Sequence, residues 1–114
     1  MNTAERLKRA GYSFLQFSGA ALNPEMIKRV SDKTGLPIRL THVPIDRILN
    51  DPERLMEEHS YFVCNKIGLG MMPFPETEDE KEIKVLIDKL NKVGGLFKKN
   101  GFTLCYHNHH FEFV

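Results

Sequence analysis

The sequence has no charge imbalance and no long apolar run, and each absence argues against a class of protein. Sixteen Lys and Arg residues stand against fifteen Asp and Glu residues, which gives a net charge of +1. Nucleic acid is disfavoured as the main partner, because phosphate binding rests on clustered Lys and Arg. The apolar runs are too short to cross a bilayer, and the first twelve residues lack the apolar core of a signal peptide. The sequence therefore predicts no nucleic-acid partner and no membrane segment.

Cysteine is also scarce. The chain has two cysteines, Cys64 and Cys105, and each lies inside an apolar run. Neither has a second thiol nearby in the spacing of a metal motif, so the sequence predicts two buried thiols rather than a disulfide or a metal pair. Buried unpaired thiols are typical of a reducing compartment, and we expect a cytoplasmic location.

Helical and strand-like segments alternate along the chain, which predicts an α/β fold. Asn23 and Pro24 suit the cap and first turn of a helix, and Gly35 suits its end. Thr77 with Glu80 forms a capping box before the longest helix. In order, we predict helices at 2–10, 24–34, 52–59 and 78–100 and strands at 12–17, 38–42, 61–67 and 102–107. Such an alternation pairs the strands in parallel through right-handed crossovers.

The longest predicted helix carries apolar residues at helical spacing. They predict its buried stripe: Ile83, Leu86, Ile87, Leu90, Val93 and Phe97.

Histidine is concentrated near the end of the sequence. Three of the five histidines, His107, His109 and His110, lie within four residues, and Glu112 follows. Imidazole and carboxylate side chains bind catalytic divalent metals and transfer protons near neutral pH. Strand alternation would place His107 and His109 on one face and Asn108 on the other. The alternative is that these imidazoles only hydrogen-bond the backbone and water at a strand end.

Two more strand ends carry candidate residues. His42 ends the predicted second strand, and a glycine-rich segment that starts at Gly68 follows the third. Ligand sites in parallel α/β sheets form at the carboxyl ends of the strands, so we predict that these ends converge on one site. The alternatives are that His42 is a hydrogen-bonded histidine at the core edge and that the glycines serve only loop geometry. His59 is predicted to lie at the surface and Tyr106 to pack inside.

The segment 106–113, YHNHHFEF, follows a long helix and an Asn-Gly turn and resembles the sugar phosphate isomerase/epimerase family, the xylose-isomerase-like TIM barrels. Two further segments resemble that family's approaches to its second and third strands: 10–12, before the strand with Gln16, and 34–37, before His42. The resemblance covers nearly the whole chain. It implies a single domain that is a partial (β/α)8 TIM barrel, with about four parallel strands resembling strands 2–5 and covering helices.

This resemblance also implies an activity. Such enzymes isomerise, epimerise or dehydrate a sugar, a keto-sugar or an inositol derivative by metal-assisted proton transfer. The implied catalytic residues are His107 and His109. The implied contacts of a small-molecule sugar substrate are His42, Asn108 and Gly68. The implied ligands of a divalent metal (Mn2+, Mg2+, Co2+ or Zn2+) are His109 and Glu112.

The sequence departs from the family pattern in charge and in length. Many relatives carry glutamate where Gln16 stands. A complete barrel needs roughly 250 residues, and the 114 residues lack the first strand and the last three, with the Asp, His and Glu ligands of the later strands. The chain would then act as part of a longer enzyme or as a homo-oligomer, in which a dimer closes an eight-stranded barrel.

Two alternatives stay open at this point. One is a non-catalytic half-barrel that covers its sheet edges with another copy or another subunit. The more distant one is the endonuclease branch of the same barrel family, which uses a multi-zinc site on DNA. The near-neutral charge disfavours that branch.

Overall fold

A computed structural model describes residues 3–18, 22–70 and 79–108 of the chain. Its four strands form one sheet in the order β1-β2-β3-β4, and every neighbouring pair is parallel. This arrangement confirms the predicted fold class. The elements in chain order are α1 (Thr3–Arg9), β1 (Leu15–Phe17), α2 (Pro24–Thr34), β2 (Ile38–Val43), α3 (Ile45–Asn50), α4 (Pro52–Tyr61), β3 (Lys66–Leu69), α5 (Glu80–Lys99) and β4 (Thr103–Tyr106).

Helix α2 has the predicted ends. The Asn23 side chain accepts a hydrogen bond from the backbone N–H of Met26 at 3.1 Å, and Pro24 occupies the first turn. Gly35 follows the last helical residue with a φ of 72°, and its N–H donates to the carbonyl of Ser31. This left-handed conformation is the one that glycine adopts without a steric cost.

The predicted third strand, 61–67, is wrong in its first half. Tyr61 ends α4 and β3 begins at Lys66, with a tight turn between them. Val63 adopts a φ of 60° in this turn, and the N–H of Cys64 donates to the carbonyl of His59 at 2.8 Å. Phe62 and Cys64 are buried, so the apolar run marks a turn against the core rather than a strand. The short helix α3 was not predicted.

Helix α5 begins slightly later than predicted. Asp79 caps it by accepting a hydrogen bond from the N–H of Lys81 at 3.0 Å, whereas Thr77 of the predicted capping box lies outside the described residues. Val93 and Phe97 are buried as predicted, but Ile87 is 45% exposed. The predicted stripe is therefore wrong at Ile87.

The helices pack on one face of the sheet and form two apolar clusters with it. One cluster joins strand residues to α3, α4 and α5: Val43, Ile67, Leu69, Ile48, Leu55, Met56, Val93 and Phe97. The other lies around α2: Leu15, Ile27, Leu36, Ile38, Phe62 and Cys64. Because neighbouring residues of a strand point to opposite faces, Gln16, His42 and Gly68 lie on the face away from these helices.

Cys64 and Cys105 are both free thiols, so no disulfide joins them. Cys64 is buried but Cys105 is only partly buried, which corrects the prediction of two buried thiols. Burial raises the pKa of the Cys64 thiol.

In the described ranges, no helix is both long enough and apolar enough to cross a membrane.

Candidate functional site at the carboxyl ends of the strands

His42, Gly68 and His107 come together at the carboxyl ends of β2, β3 and β4. In the parallel register, His42 pairs with Gly68, and Gly68 pairs with Cys105. The backbone N–H of His107 donates to the carbonyl of Leu69 at 3.0 Å, so the ladder continues one residue beyond β4. The sheet thus brings residues from three separate parts of the sequence to one edge.

The side chains of His42 and His107 are in ring contact. Their ring centroids are 5.0 Å apart and their planes are tilted by 42°. His42 is half-buried, whereas His107 is exposed. Two imidazoles at this distance can both approach one small ligand, and neutral imidazole both donates and accepts hydrogen bonds.

Two glycines make room for the His42 ring. A Cβ on Gly68 would lie 2.9 Å from Cδ2 of His42, and it would also collide with the carbonyl oxygen of Thr41. A Cβ on Gly70 would lie 3.1 Å from Cβ of His42. The absence of side chains at Gly68 of β3 and at Gly70 just after it therefore allows His42 and His107 to meet across this face. Substrate contact at Gly68 remains a prediction.

Gln16 of β1 extends the group to a third side chain. Its amide nitrogen lies 3.4 Å from Nε2 of His42, at the long end of hydrogen-bond distances. Many members of the family that the sequence resembles carry glutamate at the position of Gln16. The contact partner of His42 on β1 is therefore neutral, and sequence reasoning had not linked it to His42.

The remaining predicted site residues lie at or beyond the end of the described chain. Asn108 is exposed and follows β4. His109 and Glu112, the predicted metal ligands, lie outside the described residues. Within 3–18, 22–70 and 79–108, no three His, Cys, Asp or Glu side chains are close enough together to hold a metal ion. The described residues thus do not by themselves fit a divalent metal, and the metal site remains a prediction.

The prediction for His59 is wrong, because this residue is fully buried rather than at the surface. Its Nδ1 lies 2.7 Å from the carbonyl of Leu55, and its Nε2 lies 2.5 Å from the hydroxyl of Thr41. A carbonyl only accepts, so Nδ1 carries a hydrogen, and in the neutral ring Nε2 then accepts from the Thr41 hydroxyl. The spacing of α4 could have indicated this burial, because His59 lies four residues after the buried Leu55 on the apolar face of the helix.

The environment of His59 favours the neutral ring. Burial lowers its pKa, against the opposing influence of the Leu55 carbonyl and the Glu58 charge. Glu58 itself accepts two hydrogen bonds from Arg47, at 2.8 and 3.0 Å. Burial alone would raise the pKa of Glu58, but Arg47 and Arg54 outweigh it, and the pKa is lowered. Thr41 precedes His42 in β2, so this buried network anchors the strand that carries the site.

Tyr106 also differs from its prediction. Its side chain is 48% exposed, although it was expected to pack inside. Leu104, two residues earlier on the same strand face, packs against the apolar cluster that joins the strands to α3, α4 and α5. The helix α5 thus covers the middle of β4 but not its carboxyl end.

Comparison with known proteins shows the fold. No protein-family model matches the chain, and no curated protein sequence matches it. An AP endonuclease of family 2 from Brucella melitensis has a similar structure, with a TM-score of 0.75 and 13% identity over 90% of this chain and 47% of that one. A xylose isomerase-like TIM barrel/4-hydroxyphenylpyruvate dioxygenase fusion protein gives a TM-score of 0.65 and 17% identity over 90% of this chain and 19% of that one.

These likenesses are too remote in sequence to transfer an activity. The chain spans about half the length of the endonuclease and about a fifth of the fusion protein. The parallel sheet with its helices on one face matches the barrel architecture in both. The chain therefore has the fold of part of a xylose isomerase-like TIM barrel.

Proposed function

We propose that the chain is part of an enzyme that transfers a proton next to the carbonyl group of a sugar, a keto-sugar or an inositol derivative, as isomerases and epimerases do. The observation that carries this proposal is the His42–His107 pair at the carboxyl ends of the strands. Imidazole is the side chain best suited to accept and return a proton near neutral pH. The xylose isomerase-like fold supports the proposal, because ligands of such barrels bind at this end of the strands.

The exposure of the two imidazoles suggests their roles. His107 is exposed at the edge of the sheet and is the proposed proton-transfer residue, together with His109 of the same segment. His42 is half-buried and held by neighbours, which suits a residue that hydrogen-bonds a substrate oxygen. Asn108 and the backbone at Gly68 complete the proposed substrate contacts. A divalent metal held by His109 and Glu112 would polarise the substrate oxygens when bound.

The proposal includes a partner. In the described residues, β1 pairs only with β2 and β4 pairs only with β3. A closed barrel of this type has eight strands, so four are supplied from elsewhere. We propose that a second copy supplies them. A monomer in light scattering at the concentration used for activity would count against this partner.

Solvent-proton exchange tests the chemistry directly. The protein is incubated in D2O with aldose, ketose and inosose substrates and with Mn2+, Mg2+, Co2+ or Zn2+, and deuterium on the carbon next to the carbonyl is detected by NMR. We expect incorporation with the unmodified chain and a loss of about 100-fold or more in His107→Ala, the scale of a lost general base. Lys89→Ala, at an exposed position of α5, is the control and should retain the rate.

The same experiment separates the enzyme from the non-catalytic half-barrel. Within the part of the chain that the structure describes, no strand pairs with the outer edges of β1 and β4, and this observation favours the half-barrel. Stable self-association without exchange on any substrate would support the half-barrel and reject the enzyme. Exchange that is lost in His107→Ala and kept in Lys89→Ala would reject the half-barrel.

A further inference from the structure

The outer edge of β4, with which no strand pairs in the described part of the chain, carries an apolar groove. The groove has a volume of about 360 Å3 and lies between the strand and α5. Leu104 and Cys105 point to opposite faces of β4 and both line it, so it opens at the edge of the strand. Gly94 of α5 lines it as well, and a Cβ on Gly94 would lie 3.8 Å from Leu104, an ordinary contact distance. We call this cavity the β4 groove.

Three residues at the β4 groove are more exposed than the sequence predicts. Cys105 is only partly buried, and Tyr106, which also lines the groove, is 48% exposed. Ile87 is 45% exposed and precedes Gly94 by seven residues, about two helical turns, so it lies on the same flank of α5. Apolar residues that cluster in this way mark a surface that another protein covers.

The outer edge of β1 has a similar cavity, about 340 Å3 in volume, between that strand and α1. Leu15 and Gln16 point to opposite faces of β1 and both line it, so it too opens at the edge of the strand. Helix α1 contributes Leu7 to this cavity but has no buried residue. Phe14, directly before β1, is 57% exposed. Both ends of the described sheet therefore have an incompletely covered apolar edge.

The order of the elements makes these two edges complementary. A right-handed crossover places a helix over the gap between the strand before it and the strand after it. By this rule α1 belongs over the outer edge of β1, as α5 belongs over the gap between β3 and β4. A strand that pairs in parallel with β4 would therefore bring its own preceding helix into the β4 groove. The α1–β1 unit of a second copy is a helix and a strand in that order.

Mutual docking of two copies buries enough surface for a stable dimer, which needs roughly 800 Å2 from each partner. With a two-fold axis, each copy contributes both of its outer edges. The exposed parts of Phe14, Ile87 and Tyr106 already provide on the order of 300 Å2 per copy. The two strand edges and the rest of the two cavity linings supply the remainder.

We propose that the β4 groove binds α1 and β1 of a second copy, and that the same contact at the other edge closes the pair head to tail. This inference rests on the second copy included in the proposed function and adds the surface that holds it. It does not depend on whether the site transfers protons.

Sedimentation velocity of the full chain measures this association without any turnover. Gly94→Arg places a long charged side chain in the β4 groove and should raise the dissociation constant of the dimer about 100-fold or more. Val85→Arg is the matched control, because Val85 is 53% exposed and lies two and a half turns from Gly94, on the opposite flank of α5. Gly94→Ala should also retain the dimer, since the added methyl group makes an ordinary contact with Leu104.

Mixing two blocked variants tests the head-to-tail arrangement. Thr3 is exposed and lines the β1 cavity, so Thr3→Arg should block the other half of the contact. A pair of one Thr3→Arg copy and one Gly94→Arg copy keeps one of the two contacts intact and should associate more tightly than either variant alone. A Gly94→Arg dimer as tight as that of the unmodified chain would overturn the proposal. So would a mixture that associates no better than its separate components.

Failure of this proposal is distinguishable from failure of the proposed function. An unmodified chain that stays monomeric overturns the docking surface, whereas deuterium exchange by that monomer supports the proton-transfer activity. A dimer that Gly94→Arg dissociates and Val85→Arg does not, combined with no exchange on any substrate, supports the docking surface and rejects the enzyme.

Discussion

Gly68→Ala tests how closely β2 and the His42 ring pack over β3. The added Cβ would collide with the carbonyl oxygen of Thr41 and lie 2.9 Å from Cδ2 of His42. The carbonyl cannot shift easily, because Thr41 is fully buried and its hydroxyl is bonded to His59. The strands must therefore separate, or the His42 ring must move away from His107.

Three glycines give a graded series of expected effects. Extra volume in a tightly packed interior typically costs about 1–3 kcal/mol, so we expect Gly68→Ala to lower the free energy of unfolding by about 2 kcal/mol. Gly70→Ala meets only the side chain of His42, with its Cβ at 3.1 Å and its Cγ at 3.4 Å, and should cost less, below about 1 kcal/mol. Gly95→Ala lies in the exposed part of α5 with nothing within 4 Å and should gain about 0.5–1 kcal/mol, because alanine favours helix.

Urea unfolding followed by far-ultraviolet circular dichroism measures these differences, since the chain has no tryptophan for fluorescence. Equal slopes with shifted midpoints would show that stability alone has changed. Close packing of β2 over Gly68 is contradicted if Gly68→Ala is as stable as the unmodified chain, or if Gly70→Ala lowers the stability more than Gly68→Ala. Loss of stability in Gly95→Ala would contradict the gain expected from the helix propensity of alanine at an open position.

Three further predictions concern single positions. Burial lowers the pKa of His59, so the unfolded chain takes up a proton that the folded chain excludes. The free energy of unfolding should therefore fall as the pH drops below the ordinary value of 6.5. This slope, measured as urea midpoints between pH 5 and 7, should shrink in His59→Asn. Val63 is 82% exposed and has a φ of 60°, a left-handed conformation that asparagine tolerates better than valine. Val63→Asn should therefore raise the free energy of unfolding by about 0.5–1 kcal/mol, and a decrease would contradict backbone strain at Val63. Asn23→Ala removes the cap of α2 and should cost about 1 kcal/mol, whereas Asn23→Asp should restore most of it; equal stability of all three chains would show that the cap contributes nothing.

Features that depend on residues close together in the chain could be predicted from the sequence alone. Asn23, Pro24 and Gly35 fix the ends of α2 because a cap, a first-turn proline and a left-handed glycine each act on backbone groups within a few residues. The alternation of such helices with apolar runs was enough to predict a parallel α/β sheet, since a crossover helix lets successive strands run in the same direction. His42, Gly68 and His107 were predicted to converge for the same reason.

The contacts that these residues make depend on the packing of distant parts of the chain. The apolar run 61–64 is compatible with a strand or with a buried turn, and packing against α2 and the sheet selects the turn. His59 contacts Thr41, eighteen residues earlier, and His42 contacts Gln16, twenty-six residues earlier. Local propensity carries no information about contacts at such separations. They arise when the strands pair in register and alternation directs their side chains to one face or the other.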